Sequence, residues 1–253
     1  MNGRVDLNCD LGEGAGQDDA LMPLITSANI ACGGHAGDPE TMRATLRLAR
    51  KHGVASGAHP GFEDRANFGR RELALTAIQI IDLVQTQVKA LRKIAGEENV
   101  QLTHVKPHGA LYNLSARDPI VADAIAEAVF GVDATLWLYG LAGGELLRAG
   151  RARGLRVASE VFADRSYQAD GSLTPRTQAN ALHSTTADSV AQALFMLQEG
   201  CVKATDGTAV VISADTLCLH GDGAQAVEFA RGVRQALQEA GIEMRPLDAR
   251  LDC

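Results

Sequence analysis

The stretch VDLNCDL, residues 5–11, alternates polar and apolar side chains in the pattern of a β-strand. Residues at i, i+2 and i+4 of a strand share one face, so Asp6, Asn8 and Asp10 lie together, opposite a wholly apolar face. Each polar group buried without a partner costs about 1 to 3 kcal/mol. The stretch therefore predicts a strand whose polar face meets a ligand or is satisfied by other buried polar groups.

Six further segments begin with apolar residues and end with polar or glycine residues. They are ANIACGGH (28–35), VASGAH (54–59), LTHVKPH (102–108), LWLYG (136–140), LRVASEVFAD (155–164) and DTLCLH (215–220). Parallel α/β folds build their sites from such strand ends. Helical patterns separate the segments and begin at the capping residues Asp38, Thr76 and Asp118.

Alternation of strands and helices with right-handed crossovers leaves two architectures, an open doubly wound sheet or a closed barrel. The glycines of DLGEGAG, residues 10–16, lack the GxGxxG spacing of a nucleotide-binding open sheet. A length of 253 residues suits one (β/α) barrel, which typically has about 250. We therefore predict an α/β fold, a single barrel domain over residues 1–253, with its site at the C-terminal ends of seven strands.

Composition excludes several kinds of partner. The chain has 24 Lys and Arg residues against 31 Asp and Glu, and its net charge of -7 argues against nucleic acid. No apolar run approaches the roughly 18 to 20 residues of a membrane span, and the first residues lack a signal-peptide pattern. The five cysteines are odd in number and form no CxxC, which fits a reducing compartment. We expect a soluble, cytoplasmic protein with no membrane partner.

The polar strand ends supply the candidate site residues. Lysines are almost never buried unless they are paired or functional, which makes Lys106 the strongest candidate. Purely structural roles stay open for the others. The polar face of the first strand could be a self-satisfied hydrogen-bonded cluster, and the histidines could be turn residues that bond the backbone. The carboxylates could merely neutralise basic neighbours, and Arg70 and Arg71 could be solvated surface charges. The candidates are Asn8, Asp10, His35, His59, Lys106, His108, Glu160, Asp164, Arg165, Arg176 and His220.

A metal-dependent or thiol-dependent site is less favoured. Several of the histidines and Asp10 could converge on an ion, but no HExxH or HxH motif defines a coordination sphere. Lys106 beside them would oppose a dication. We therefore predict no metal ligands, and leave open whether the protein binds a metal. No GxSxG motif indicates a serine nucleophile, and Cys32 would lie on a different face from His35.

Six long motifs resemble one family. VDLNCDLGEG, ANIACGGHAGD, GAHPGF with GRR, HVKPHGALYN, EVFADRSY with DGSLTPR, and ADTLCLHGD together resemble the LamB/YcsF family. The resemblance implies a barrel of the glycoside hydrolase/deacetylase type and the A subunit of a bacterial ATP-dependent 5-oxoprolinase, acting with subunits B and C. Two positions depart from the family pattern. Gly34 stands where Phe is usual and is expected to leave space beside His35, and Asn67 stands where Gly is usual.

The implied reaction converts 5-oxoproline to L-glutamate, and ring opening needs a base, an acid and positive charge near the lactam oxygen. We expect Asp10 or Glu160 to act as base, and His59 to protonate the leaving nitrogen. Lys106 with His108 would stabilise developing negative charge. The remaining candidates would bind substrate: Asn8, His35, Asp164 and His220, with Arg165 or Arg176 binding the carboxylate.

Coupling to ATP, with Mg²⁺ as its counter-ion, would activate the lactam, most simply by phosphorylating its oxygen. No GxxxxGK[ST] loop occurs in the sequence, so the nucleotide can bind to this chain, to a partner subunit or between them. Two other functions stay open: a metal-dependent deacetylase or amidohydrolase that acts alone, and a non-catalytic subunit that binds substrate.

Overall fold

A computed structural model describes residues 3–220, 223 and 225–247. Its strands are β1 (Arg4–Leu11), β2 (Ser27–Ala31), β3 (Ala55–His59), β4 (Leu102–Val105), β5 (Trp137–Leu141), β6 (Arg156–Phe162), β7 (Cys201–Lys203), β8 (Ala209–Val211), β9 (Thr216–Leu219) and β10 (Glu243–Met244). Its α-helices are α1 (Asp18–Leu21), α2 (Pro39–His52), α3 (Ala77–Glu97), α4 (Gly109–Arg117), α5 (Pro119–Val132), α6 (Glu145–Ala152), α7 (Thr186–Glu199) and α8 (Ala226–Glu239).

The strands β1 to β6 and β9 form a closed barrel. They pair in chain order, and β9 pairs with both β6 and β1, which closes the ring. All these pairings are parallel, so the seven carboxyl ends meet at one rim. The predicted seven-stranded (β/α) barrel is thus confirmed. β10 adds a parallel strand to the start of β1, outside the ring, and the sequence patterns did not predict it.

The helices that position the strand ends begin where their caps predict. Asp38 accepts a hydrogen bond from the Thr41 amide at the start of α2, and Gly53 ends this helix at a φ of 67°. A capping box of Thr76 and Gln79 begins α3. Helix α4 was not predicted, because it follows the His108 segment directly and is too short to show a clear apolar period.

The barrel interior is polar, and the apolar core surrounds it. Leu7, Cys9 and Leu11 are buried on the outward face of β1, where they join the hydrophobic cluster between strands and helices. The opposite face of β1 carries Asp6 and Asn8, both fully buried inside the ring. Among the described residues, no helix combines the length and apolarity needed to cross a bilayer.

Candidate active site

Four hydroxyl groups surround the buried carboxylate of Asp6, the innermost acidic residue of β1. Its Oδ1 accepts hydrogen bonds from Thr26 and Ser27, both 2.7 Å away. Its Oδ2 accepts from Tyr139 at 2.9 Å and from Thr216 at 2.7 Å. Burial raises the pKa of Asp6, although the four hydroxyl donors oppose this shift. These five residues, here called the lower layer, form a self-satisfied structural unit that joins four barrel strands or their entry loops.

Above the lower layer, Lys106 lies between two carboxylates. Its Nζ donates to Oδ1 of Asp10 and to Oε1 of Glu160, each 2.9 Å away. Asn8 connects the two levels, since its Nδ2 donates to Thr216 of the lower layer at 2.7 Å and to Glu160 at 2.9 Å. Its Oδ1 accepts from Asn29 at 2.7 Å. Asn29 also donates to Asp10 Oδ1 at 2.8 Å. Asp10 is therefore held on its Oδ1 side by an ammonium and an amide.

The charges of this layer support one another. Burial by itself would lower the pKa of Lys106, but Asp10, Cys218 and Glu160 outweigh it and raise the pKa well above its ordinary value. Burial would raise the pKa of Asp10, but His59 and Lys106 together hold it well below its ordinary value. Lys106 is therefore a fixed positive charge and not a base.

Three histidines and Glu13 lie on the solvent side of Asp10. His59 Nε2 lies 2.9 Å from His108 Nδ1 and 3.4 Å from Asp10 Oδ2. Glu13 Oε1 lies 3.0 Å from His35 Nε2, 3.3 Å from His108 Nδ1 and 3.8 Å from His59 Nε2. The His35 ring stacks on that of His108 with 3.6 Å between centroids. We call Glu13, His35, His59 and His108 the histidine cluster.

Backbone carbonyls determine which ring nitrogens of the cluster carry protons. His59 Nδ1 lies 2.7 Å from the Lys106 carbonyl oxygen, and His108 Nε2 lies 2.9 Å from the Phe68 carbonyl oxygen. A carbonyl oxygen only accepts, so both nitrogens are donors. In neutral rings the remaining nitrogens, His59 Nε2 and His108 Nδ1, are both acceptors, yet they face each other. Burial lowers the pKa of His35 to about 2, which keeps that ring neutral.

A cavity of about 380 Å³ opens above these groups, which is within the size range of small-molecule sites. It brings together predicted residues from the ends of several strands and from the segment after β6. Those that line it are Asp10, His59, Lys106, His108, Arg165, Arg176 and His220. The predicted convergence of these side chains on one pocket is therefore present in the structure.

The segment between β6 and α7, residues 163–185, forms one wall of the cavity. Arg165 is buried, and its guanidinium donates to the carbonyl oxygens of Thr174 at 2.6 Å and Ala181 at 3.3 Å. Burial and Arg176 lower the pKa of Arg165 to about 10. Arg165 thus folds the segment over the cavity, while Arg176 also lines the cavity.

The other predicted residues lie close to the cavity without lining it. Asn8 and Glu160 are fully buried below the cavity, where Glu160 accepts from Asn8 and Lys106. His35 lies behind the ring of His108. Asp164 is paired with His220, 2.8 Å from its Nδ1, in a neighbouring pocket.

Sequence reasoning missed Glu13 and Tyr112, which also line the cavity. Glu13 lies two residues after the end of β1, and its position in the first strand-to-helix loop was a usable signal. Tyr112 lies on the unpredicted helix α4, and burial together with Glu160 raises its pKa well above the ordinary value. Arg70 is exposed, as predicted, but it lines the cavity as well.

The expectation that Gly34 leaves space beside His35 is wrong. A Cβ atom built on Gly34 would lie 2.6 Å from the side-chain amide of Gln87 and 2.6 Å from the Gly61 carbonyl oxygen. The Gln87 amide occupies this space and bonds both the nitrogen and the oxygen of Gly61. Gly34 is therefore needed for close packing of the loop that holds His35. Asn67, the other departure, donates to Asp64 at 2.8 Å.

The whole chain is similar to known proteins. The model of the LamB/YcsF family matches residues 5–252. The chain is 55% identical over 249 residues to a protein of Tolumonas auensis that is named as the A subunit of 5-oxoprolinase, covering 96% of this chain and 99% of that protein. It is 45% identical to the lactam utilization protein of Thermus thermophilus, whose crystal structure superposes with a TM-score of 0.90 over 96% of this chain and all of that one.

A more distant likeness concerns the fold alone. A T48 deacetylase solved with its substrate is 17% identical and superposes with a TM-score of 0.52, covering 97% of this chain and 89% of that one. The predicted deacetylase type of barrel is confirmed by this likeness.

Proposed function

Because this chain belongs to the LamB/YcsF family, we propose that it is the A subunit of an ATP-dependent 5-oxoprolinase, which opens the lactam ring of 5-oxoproline to give L-glutamate. The names of the relatives support this proposal, as does the lactam named for the Thermus protein. The observation that carries it is the cavity that joins a carboxylate, a fixed ammonium, a histidine pair and two arginines.

The reaction defines what the cavity has to supply. Water oxygen bonds to the lactam carbonyl carbon, the C–N bond breaks, and the leaving nitrogen takes a proton. The amide is a poor electrophile, and transfer of the ATP γ-phosphoryl group to the lactam oxygen would activate its carbon. Addition of water and cleavage of the C–N bond would then leave an acyl phosphate, which a second water hydrolyses to glutamate and phosphate. The site still needs a base for water and positive charge beside the oxygen.

Asp10 is the proposed base. Its Oδ1 is held by Lys106 and Asn29, while its Oδ2 faces the histidine cluster, 3.4 Å from His59 Nε2. An oriented carboxylate at the cavity can take a proton from water and return it to the leaving nitrogen. This gives Asp10 the final proton transfer that sequence reasoning assigned to His59. Glu160 becomes a positioning residue, because it is fully buried and acts through Lys106.

His59 and His108 supply the positive charge near the reacting oxygen. Their facing nitrogens line the cavity beside Asp10. The charge can be a proton shared between the rings or a metal ion held by them. Preorganised charge of this kind is usually the largest single contribution to catalysis of acyl transfer.

The two arginines of the segment over the cavity would bind the free carboxylate of 5-oxoproline. Arg165 and Arg176 both line the cavity. Charge-assisted hydrogen bonds to a carboxylate are the strong ones, and they would orient the ring with its amide toward Asp10. Arg165 has two of its donors committed to backbone carbonyls, and Arg176 lines the cavity beside it as the second carboxylate ligand in this proposal.

In this proposal ATP and its Mg²⁺ bind within the complex that the chain forms with subunits B and C. The sequence of this chain contains no Walker-type phosphate loop. The word "subunit" in the relatives' name supports an assembly. A cytoplasmic location stays a prediction from the cysteine pattern.

The test is product analysis with isotopically labelled 5-oxoproline, using this chain alone and with the two other subunits, each with and without ATP. Glutamate formed only by the full assembly with ATP supports the proposal. Glutamate formed by the chain alone without ATP would instead identify a stand-alone amidohydrolase. Turnover that survives Asp10→Asn in the full assembly would identify a non-catalytic, substrate-binding subunit.

A further inference from the structure

We propose that Glu13, His59 and His108 bind one divalent transition-metal ion, with Zn²⁺ as the reference case. The ion would lie between the two facing imidazole nitrogens, on the cavity side of Asp10. This inference goes beyond the proposed function, because it stands on the geometry of the histidine cluster and not on the identity of the substrate.

Two acceptor nitrogens oppose each other in the histidine cluster. His59 and His108 each donate one ring N–H to a backbone carbonyl, so both present a lone pair to the other across 2.9 Å. Metal-binding histidines show this same arrangement, with the outer nitrogen donating to a carbonyl and the inner nitrogen free for the ion. Both rings are buried in the protein and border the cavity, so a partner for these nitrogens has to come from the cavity. Something positive has to lie between these nitrogens.

Nearby carboxylates decide between a proton and a metal ion. A proton satisfies two of the acceptors, but a carboxylate oxygen of Glu13 faces both nitrogens as a third, and Asp10 Oδ2 lies 3.4 Å from His59 Nε2. Glu13 Oε1 is 3.3 Å from His108 Nδ1 and 3.8 Å from His59 Nε2. Ligand atoms about 2.0 to 2.1 Å from a tetrahedral Zn²⁺ lie roughly 3.3 Å apart. The observed separations of 2.9, 3.3 and 3.8 Å surround that value, so a modest adjustment seats the ion.

The charges around the cluster also favour a dication. Lys106 carries one positive charge, and three carboxylates, Asp10, Glu13 and Glu160, lie around it and the histidine cluster. With neutral rings these four side chains carry three negative charges and one positive charge, and Arg70 and Arg176 line the same cavity. The opposition that Lys106 was expected to offer a dication is therefore offset, because Asp10 and Glu160 neutralise its ammonium at 2.9 Å each.

His35 has a different role from the two ligand histidines. Its Nε2 lies 3.0 Å from Glu13 Oε1, and its Nδ1 is buried with no hydrogen-bond partner. A ligand nitrogen at Nε2 would place a buried N–H at Nδ1 without an acceptor, at a cost of about 1 to 3 kcal/mol. His35 therefore donates from Nε2 to the Glu13 carboxylate and positions it.

A second possible ligand group, Asp10 with Cys218 and His220, does not fit an ion. Lys106 Nζ already occupies its centre, 2.9 Å from Asp10 Oδ1 and 3.0 Å from Cys218 Sγ. His220 Nδ1 is bonded to Asp164. This group supplies a matched control, His220→Gln, for the site proposed above.

In the experiment a chelator first removes bound metal ions from the full-length chain. Zn²⁺ binding is then titrated by calorimetry, and the visible absorption spectrum of the Co²⁺ form is recorded. We expect one ion per chain. Glu13→Gln and His108→Ala should each weaken binding by at least about 100-fold, and His35→Ala by about 10- to 100-fold, the range for residues that position a ligand. His35→Gln, which keeps a donor near the Nε2 position, should restore most of that loss, and His220→Gln should bind like the parent.

Circular dichroism checks that each variant is folded. Histidine ¹⁵N NMR of the parent chain gives a readout that needs no variant, since Zn²⁺ should shift His59 Nε2 and His108 Nδ1. The proposal is overturned if the chain binds no ion, if His220→Gln abolishes binding while Glu13→Gln does not, or if NMR shows one proton shared by the two rings in the presence of excess Zn²⁺.

Discussion

Replacement of Lys106 by methionine tests whether the buried ammonium holds the interior together. Oδ1 of Asp10 and Oε1 of Glu160 each lie 2.9 Å from Nζ, so they are at most twice that distance, 5.8 Å, apart. At an effective dielectric constant of about 20, two like charges at this separation repel by about 3 kcal/mol. Loss of one partner from a buried ion pair costs about 3 to 5 kcal/mol. We therefore expect Lys106→Met to lower the free energy of unfolding by about 3 to 5 kcal/mol near neutral pH.

The loss of stability in Lys106→Met is expected to depend on pH in one direction. In the parent chain the pKa of Asp10 is depressed, so its stabilising contribution is present above the ordinary aspartate pKa and is lost only as pH falls below it. In Lys106→Met the repulsion raises the pKa of one carboxylate above its unfolded value. The variant therefore binds a proton on folding, and its deficit should shrink as pH falls from about 7.5 to about 5.

Urea unfolding followed by circular dichroism at both pH values measures the effect. Lys89→Met is the matched control, because Lys89 is exposed on α3 and donates to Gln85 in its own helix, so its change should stay within about 0.5 kcal/mol. The stabilising role of the ammonium is disproved if Lys106→Met is as stable as the control, or if its deficit grows on acidification.

Four further substitutions probe the carboxylate site, the lower layer and the packing of two glycines. Arg176→Leu should raise KM for 5-oxoproline about 10-fold or more in steady-state assays of the assembly, since a hydrogen bond to a charged group contributes about 1.5 to 3 kcal/mol. Thr216→Val removes a hydroxyl donor from the lower layer and should cost about 1 to 3 kcal/mol in urea unfolding; an unchanged midpoint would contradict the description of this layer as a hydrogen-bonded unit. Gly57→Ala should destabilise by about 1 to 3 kcal/mol, because its Cβ would lie 2.2 Å from the His104 ring. Gly96→Ala, with nothing within 4 Å, should stabilise α3 by up to about 1 kcal/mol in the same melts, and equal effects of the two alanines would rule out a packing difference between the two sites.

Much of the barrel was predictable because its signals are local. Period-two alternation in VDLNCDL and the caps at Asp38, Thr76 and Asp118 each depend on a few neighbouring residues. Helix α4 and the β7–β8 hairpin escaped prediction because each is short and shows less than three periods of its pattern. β10 has two residues, and only its place beside β1 makes it a strand.

The sequence predicted which residues belong to the site better than it predicted which of them contact one another. Alternation indicated that Asp10, Lys106 and Glu160 face inward, but only the closed ring shows that Glu160 lies beneath Lys106 while Asp10 reaches the cavity. The role of Glu13 depends on how its loop returns to His35 and His108, across more than twenty residues of sequence. The prediction for Gly34 was wrong because the space it was expected to leave is filled by Gln87, a distant residue of α3.

The rate at which the assembly of this chain with its two partner subunits converts 5-oxoproline to glutamate with ATP, compared between the parent chain and Asp10→Asn, tests the mechanism as a whole. Loss of a general base reduces such a rate by about 10²- to 10⁴-fold. We predict glutamate from the parent assembly and a loss of that size in the variant, with its fold intact by circular dichroism. Equal rates in the two assemblies would show that the polar interior of this barrel does not carry out the reaction.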